Sequence, residues 1–121
     1  MVSSRIGIPN SEYLDLTKVA RRLQYAMQLK LTKHYLDWIN GLKDRATRAR
    51  IQVRVDRLVH GNPGKHRVLT EGIVELKIDV GPGYRVYFTE RGETLIVLLI
   101  GGDKSTQNQD IDLALQLVRN L

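Results

Sequence analysis

Ile73-Val-Glu-Leu-Lys-Ile-Asp-Val80, Gly81-Pro-Gly83, Tyr84-Arg-Val-Tyr-Phe-Thr-Glu90, Arg91-Gly92, Glu93-Thr-Leu-Ile-Val-Leu-Leu-Ile100 and Gly101-Gly-Asp-Lys-Ser-Thr106 follow one another without interruption, and this stretch decides the fold. Apolar and polar residues alternate through the first two long segments, with glycine-bearing turns between them, which predicts an antiparallel meander. With Gly81 to Gly83 as the loop, Val80 faces Tyr84, and the register sets Asp79 opposite Arg85, Lys77 opposite Tyr87 and Glu75 opposite Thr89. Side chains alternate across a strand, so these six share one polar face. Val74, Leu76, Ile78, Val86 and Phe88 form the opposite, core-facing side. In the third segment Leu95, Val97 and Leu99 point one way and Ile96, Leu98 and Ile100 the other, which predicts an interior strand covered on both sides.

The polar face has a plain reading as a solvated surface on which Asp79 and Arg85 make an ordinary cross-strand ion pair. It also has a functional one. Lys77, Arg85 and Tyr87 converge beside a strand end that turns through Gly101-Gly102 into Asp103-Lys104-Ser105-Thr106. Paired glycines allow close approach to the backbone, and convergent donors next to them suit an anionic ligand.

The remaining elements read as cover for this meander. Tyr25, Met27, Leu29 and Leu31 alternate with small or polar residues, giving a first strand. Thr32 is a suitable N-cap for a short helix in which Tyr35, Trp38, Ile39 and Leu42 recur at helical spacing. Asp44 can cap a second helix from Arg45 to His60, ended by Gly61-Asn62-Pro63-Gly64. Its buried stripe is Ile51, Val55, Leu58 and Val59, and Arg50, Arg54 and Arg57 form a ridge along one flank. His66 to Leu69 is a further strand, turned into the meander by Glu71-Gly72. Thr106 followed by Gln109 is a capping-box pattern. It opens a C-terminal helix whose stripe is Ile111, Ala114, Leu115 and Val118, able to cover the sheet's open face or meet a partner. The fold class is therefore α+β: an N-terminal strand and helix hairpin on an antiparallel meander, with a C-terminal helix.

A chain of 121 residues suffices for one core. It contains no cysteine, which excludes disulfides and thiolate metal sites. His34, His60 and His66 have no metal-site spacing and read as surface or turn residues, so neither metal nor cofactor is expected. No apolar run reaches the roughly 18 residues that span a bilayer, and no secretory signal opens the chain, so a cytoplasmic location without membrane contact is the expectation. The formal charge is +6, and Lys43 to Arg67, with eight basic and two acidic residues, carries all of it. Such a localised basic surface favours nucleic acid or an acidic protein as partner. Residues 1–26 read as an N-terminal extension, either a flexible arm or an over-extended reading frame with Met27 as the true start. Residues 27–121 read as the folded domain.

Glu75-Leu-Lys-Ile, Gly81-Pro-Gly-Tyr-Arg-Val-Tyr-Phe88 and Gly101-Gly-Asp-Lys-Ser-Thr-Gln107, in the order strand, helix hairpin, meander, resemble the RelE/ParE toxin superfamily. Within it they look most like the HigB-type branch of addiction module killer proteins, the phage Gp49-like group. The resemblance covers Met27 to about Arg119. It implies the toxin of a type II toxin–antitoxin system, a metal-independent endoribonuclease that cuts messenger RNA with the help of the ribosome. A helix-turn-helix antitoxin of the HigA kind would silence it, and operator DNA would be met only through that antitoxin. In RelE-like chemistry the ribose 2′-hydroxyl attacks the adjacent phosphodiester, leaving a cyclic phosphate and a free 5′-hydroxyl. The reaction needs a base, an acid and positive charge at the phosphorane.

By that resemblance Arg85 matches the arginine of the Gly-Tyr-Arg strand and would hold the scissile phosphate through its fork. Lys77 is the candidate base, and Glu75 either shares that role or pairs with Lys77. An arginine and a tyrosine expected near the C-terminus are replaced here by Ser105 and Ile111, leaving Lys104 as the local substitute for the acid. Tyr87 would stack a base or donate its hydroxyl. Arg50, Arg54, Arg57 and Ser105 are the expected RNA contacts. The alternative is a ParE-like inhibitor of DNA gyrase on the same fold, without nuclease activity.

Overall fold

In the computed structural model, which describes residues 27–121, two side-chain caps start the helix hairpin. The expectations for residues 1–26, including the start of the first strand, lie outside the described residues. Thr32 Oγ1 accepts from the amide of Tyr35 at 3.0 Å and opens α1, Lys33–Gly41. The same hydroxyl donates to the Leu99 carbonyl at 2.5 Å, tying the helix start to the sheet. Asp44 accepts from the Ala46 amide at 3.2 Å and from Thr47 Oγ1 at 2.8 Å, opening α2, Arg45–Val59. Each cap satisfies a donor that the first helical turn leaves unpaired.

Five strands form one sheet: β1 Gln28–Leu31, β2 His66–Val68, β3 Ile73–Ile78, β4 Tyr84–Arg91 and β5 Leu95–Asp103. Their spatial order is β1-β5-β4-β3-β2. β1 runs parallel to β5, and the other pairings are antiparallel. The helix hairpin packs on one face, where Tyr35, Ile39, Ile51, Val55 and Leu58 meet Leu76, Ile78, Val86, Phe88, Ile96 and Leu98. A 3₁₀ turn, Lys104–Thr106, leads into α3, Gln107–Arg119, which packs on the other face against Ile73, Tyr87, Val97, Leu99 and Ile100. Arg119 clasps Glu71 through two bonds of 3.1 and 2.6 Å, fastening the end of this helix to the β2–β3 turn.

Four expectations are corrected. The β3–β4 loop has five residues, Asp79 to Gly83, because Ile78 rather than Val80 pairs with Tyr84. Lys77 therefore stands opposite Arg85, and Glu75 opposite Tyr87. A shift of two preserves the face of every side chain, so the polar set stays together while its pairs change. Second, a bulge in β5 sets Tyr87 opposite Ile100 and Phe88 opposite Leu98. The extra residue turns Ile100 to the α3 side, away from Ile96 and Leu98.

Third, Thr106 makes no side-chain cap to α3. The capping box is three residues earlier, where Asp103 accepts from the Ser105 amide at 2.8 Å and the Thr106 hydroxyl accepts from the Asp103 amide at 3.2 Å. Fourth, the close approach allowed by Gly101-Gly102 is made by the protein itself. A Cβ on Gly101 would collide with the indole of Trp38, and one on Gly102 with the Asp110 carboxylate and the Thr106 hydroxyl. Gly101→Ala is expected to destabilise the domain by about 1–3 kcal/mol through overpacking. A thermal melt reads it; an unshifted midpoint would mean that Trp38 does not rest on the strand.

Candidate functional site

On the α3 side of the sheet the polar residues form two successive cross-strand rows. The first row begins one residue before β2, where the Lys77 amide bonds to the Lys65 carbonyl at 2.9 Å. Lys77 pairs with Arg85, and Arg85 with Gly102. Lys65, just ahead of β2, Lys77 on β3 and Arg85 on β4 thus stand side by side. Like charges placed opposite one another on a sheet oppose folding. Lys104, exposed on the 3₁₀ turn, lines the same cleft as these three, as do Asp79 and the loop Val80 to Gly83; the cleft has a volume of about 550 Å³. Among the described residues the side chains of Lys77 and Lys104 have no acidic partner within ion-pair distance.

The second row holds Arg67, Glu75 and Tyr87. Glu75 is fully buried, and its Oε2 accepts from Tyr87 Oη at 3.0 Å and from Gln107 Nε2 at 2.8 Å. Arg67 Nε lies 3.3 Å from Oε1, and Arg85 Nε lies 3.8 Å from Oε2. The carboxylate is the counter-charge beneath the cationic row, and Gln107, the first residue of α3, closes it from above. Burial, and after it the Glu75 charge, pushes the Tyr87 phenol far above its ordinary range.

These positions revise the expected site. Lys77, Arg85 and Lys104 come together in an open cleft. Glu75 and Tyr87 do not reach solvent, so neither contact with a substrate hydroxyl nor base stacking is open to them; they hold Arg85 from behind. Ser105 lies within the 3₁₀ turn and is committed to the Asp103 cap, its Oγ donating to Asp103 Oδ1 at 2.5 Å.

Of the arginine ridge, Arg50 and Arg57 are exposed. Arg54 instead donates to three main-chain carbonyls, Lys77 at 2.6 Å, Pro63 at 2.9 Å and Lys65 at 2.9 Å. It therefore positions the strand ends that present Lys65 and Lys77. The three arginines line a second cleft of about 450 Å³ that shares Lys65, Lys77 and Asp79 with the first.

Four residues enter the site without having been singled out for it in the sequence. Lys65 and Arg67 join through the β2–β3 register. Gln107 joins because α3 lies on this face. Asp110 stands over Gly102, the cross-strand partner of Arg85, and accepts from Thr106 Oγ1 at 2.6 Å. Burial holds its carboxyl above the ordinary carboxylate range, with the nearby Asp103 charge acting in the same direction and the Thr106 hydrogen bond against it. The spacing of Thr106 and Asp110, one helical turn, was the available signal. Among the described residues no three His, Asp or Glu side chains gather into a metal-sized group, and no helix is long and apolar enough to cross a membrane.

A five-stranded sheet whose edge strand β1 runs parallel to β5, a helix hairpin on one of its faces, a C-terminal helix on the other, and a basic cleft at the sheet's end define a RelE-like fold. The E. coli toxin RelE in its free state, solved as an arginine-to-alanine double mutant, matches it with a TM-score of 0.63 at 13% identity, over 75% of this chain and 96% of that one. The family model described as phage derived protein Gp49-like matches residues 37–119. An uncharacterized protein of Haemophilus influenzae is 43% identical over 95 residues, 78% of this chain and 96% of that protein. The chain belongs to the phage derived protein Gp49-like family, and its fold is that of RelE.

Proposed function

We propose that this protein is the toxin of a type II toxin–antitoxin system and that it cuts messenger RNA in the cytoplasm, without metal and with the ribosome's help. The observation that carries this reading is the cationic row Lys65, Lys77, Arg85, open to solvent on one side and backed by buried Glu75 on the other. An RNA phosphodiester supplies the negative charge that the row lacks. Arg85 holds the scissile phosphate and, with Lys104, stabilises the phosphorane. Lys77 takes the proton of the 2′-hydroxyl. The 5′-oxygen leaves with a proton from Lys104, which lines the same cleft.

A helix-turn-helix antitoxin of the HigA kind silences the toxin, and operator DNA is reached only through it. Inducing the toxin and mapping the 5′ ends of cellular transcripts tests the reading. Discrete new ends within coding regions are expected. Growth arrest with intact transcripts and an SOS response would reassign the protein to ParE-like inhibition of gyrase.

The flanking arginines carry a separate expectation. Reversing Arg50 and Arg57 to glutamate weakens ribosome association, and more so as salt is lowered, because screening then hides less of the lost attraction. Arg54 is left out because its three carbonyl bonds make it part of the fold. Sedimentation with ribosomes across a salt series reads the effect, and an unchanged profile would remove α2 from the RNA-binding surface.

A further inference from the structure

The two basic clefts meet at Lys65, Lys77 and Asp79, which line both. Asp79 is an acid at the junction of two otherwise basic surfaces. Its carboxylate bonds to Lys65 Nζ at 2.9 Å, and both side chains are about two-thirds exposed, at 67% and 61%. No other side-chain hydrogen bond of Asp79 is found among the described residues, and it caps no helix. Lys65 holds the carboxyl below the ordinary carboxylate range through that bond and its charge, with Arg85 and Arg54 acting in the same direction from farther away. One exposed anion thus answers to cations from α2, from the segment before β2 and from β4. An exposed pair of this kind contributes little to stability and opens at small cost.

We propose that Asp79 occupies the seat of a backbone phosphate: Lys65 and Lys77 form a phosphate subsite joining the two clefts, and a single-stranded RNA enters it by displacing the Asp79 carboxylate from Lys65. The inference rests on the reading of the cleft as an RNA site and adds an internal competitor to it. One phosphate lies at Arg85, and a neighbouring one replaces Asp79 at Lys65. The strand continues towards Arg50 and Arg57 along α2. Asp79 then restrains the affinity for RNA, since each strand that binds must break the Lys65 pair and lie beside a negative charge.

The test is the affinity of the full chain for a short single-stranded RNA carrying 2′-O-methyl groups, which cannot undergo 2′-hydroxyl attack, measured across a salt series. Asp79→Asn is compared with wild type and with Asp37→Asn. Asp37 is a matched control: on α1 it pairs with Lys33 at 2.9 Å and is 66% exposed, so its removal changes the net charge equally. Asp79→Asn is expected to bind about 3- to 10-fold more tightly at low salt, the size of one charge contact fully exposed to water. Its logarithmic salt dependence is expected to steepen by about 0.7, as for one more neutralised phosphate on a single strand. Asp37→Asn is expected to stay close to wild type.

Equal behaviour of the two variants would overturn the subsite while leaving the RNA reading in place. Wild type with no salt-dependent affinity for the RNA would overturn both. Tightening of Asp79→Asn towards a polyglutamate peptide, with RNA affinity unchanged, would assign the junction to an acidic protein and overturn the proposal. A melting midpoint like that of wild type shows that Asp79→Asn is folded.

Discussion

Arg85→Ala is expected to lower transcript cleavage by about 10²- to 10³-fold, the usual cost of removing a preorganised donor from a developing oxyanion. Arg85 is confined between the Glu75 carboxylate and its strand neighbours, with its Nε buried and making no hydrogen bond. Its Nε faces the buried Glu75 carboxylate at 3.8 Å, and its cross-strand neighbours are Lys77 and Gly102. Only the guanidinium fork is left for a ligand, which limits the motion that must stop on binding. Removing it leaves Glu75 with Tyr87, Gln107 and Arg67, so the buried acid keeps its partners and the fold is expected to persist. Arg85→Lys keeps the charge without the fork and is expected to fall between wild type and alanine. Cleavage of a reporter transcript in a translating extract, with circular dichroism as the folding control, measures the series. Undiminished cleavage by a folded Arg85→Ala protein would remove the cationic row from the chemistry.

The second large effect is on stability. Glu75→Ala deletes the single carboxylate under two arginines, strands the Tyr87 hydroxyl and the Gln107 amide, and leaves a cavity in the sheet. Arg67 is about half exposed and regains water, so the loss falls on the nearly buried Arg85, and breaking such a pair on one side costs at most about 3–5 kcal/mol. A domain of this size loses roughly 4–8 °C of melting temperature for each kcal/mol, so the variant should melt well below wild type or fail to fold at 37 °C. Glu75→Gln retains an acceptor for Tyr87 and fills the same volume, and is expected to recover part of the loss. Denaturant unfolding of both variants separates the lost charge from the lost packing. Wild-type stability in Glu75→Ala would show that the network under Arg85 is not holding the sheet.

How much of this was legible in the sequence follows the distance over which each interaction acts. Thr32 and Asp44 were readable as caps because a cap bonds an amide two or three residues away. The apolar face of β3 and β4 was readable because alternation is a property of the strand itself. The row in which Lys77 stands was not. Loops of three and five residues preserve the same alternation, and the choice between them comes from backbone pairing across the sheet. The bulge near Leu99 left no trace either, since β5 is apolar on both faces and either placement of Ile100 satisfies the pattern.

Burial of Glu75 and Tyr87 shows the same limit. Their period put them correctly on the polar face, but only the packing of α3, with Gln107 on Glu75 and Ala114 in the core, closed that part of the face and left the Lys77 row open. The glycine pair was legible as a place of close approach; that Trp38 and Asp110 make the approach was not.

By itself, then, the sequence determined the order and type of the helices and strands though not their ends, which face each strand residue takes outside the β5 bulge, and that the excess of positive charge is concentrated between Lys43 and Arg67. Covalent geometry and contacts within one turn dictate all of these except the placing of the charge, which chain order supplies. The tertiary structure alone decided which cations stand side by side, which acid lies beneath them and which polar residues are shut away from water. Those outcomes depend on hydrogen bonds and packing between segments far apart in the chain, and the free energy of the whole fold selects among arrangements that local pattern leaves equivalent.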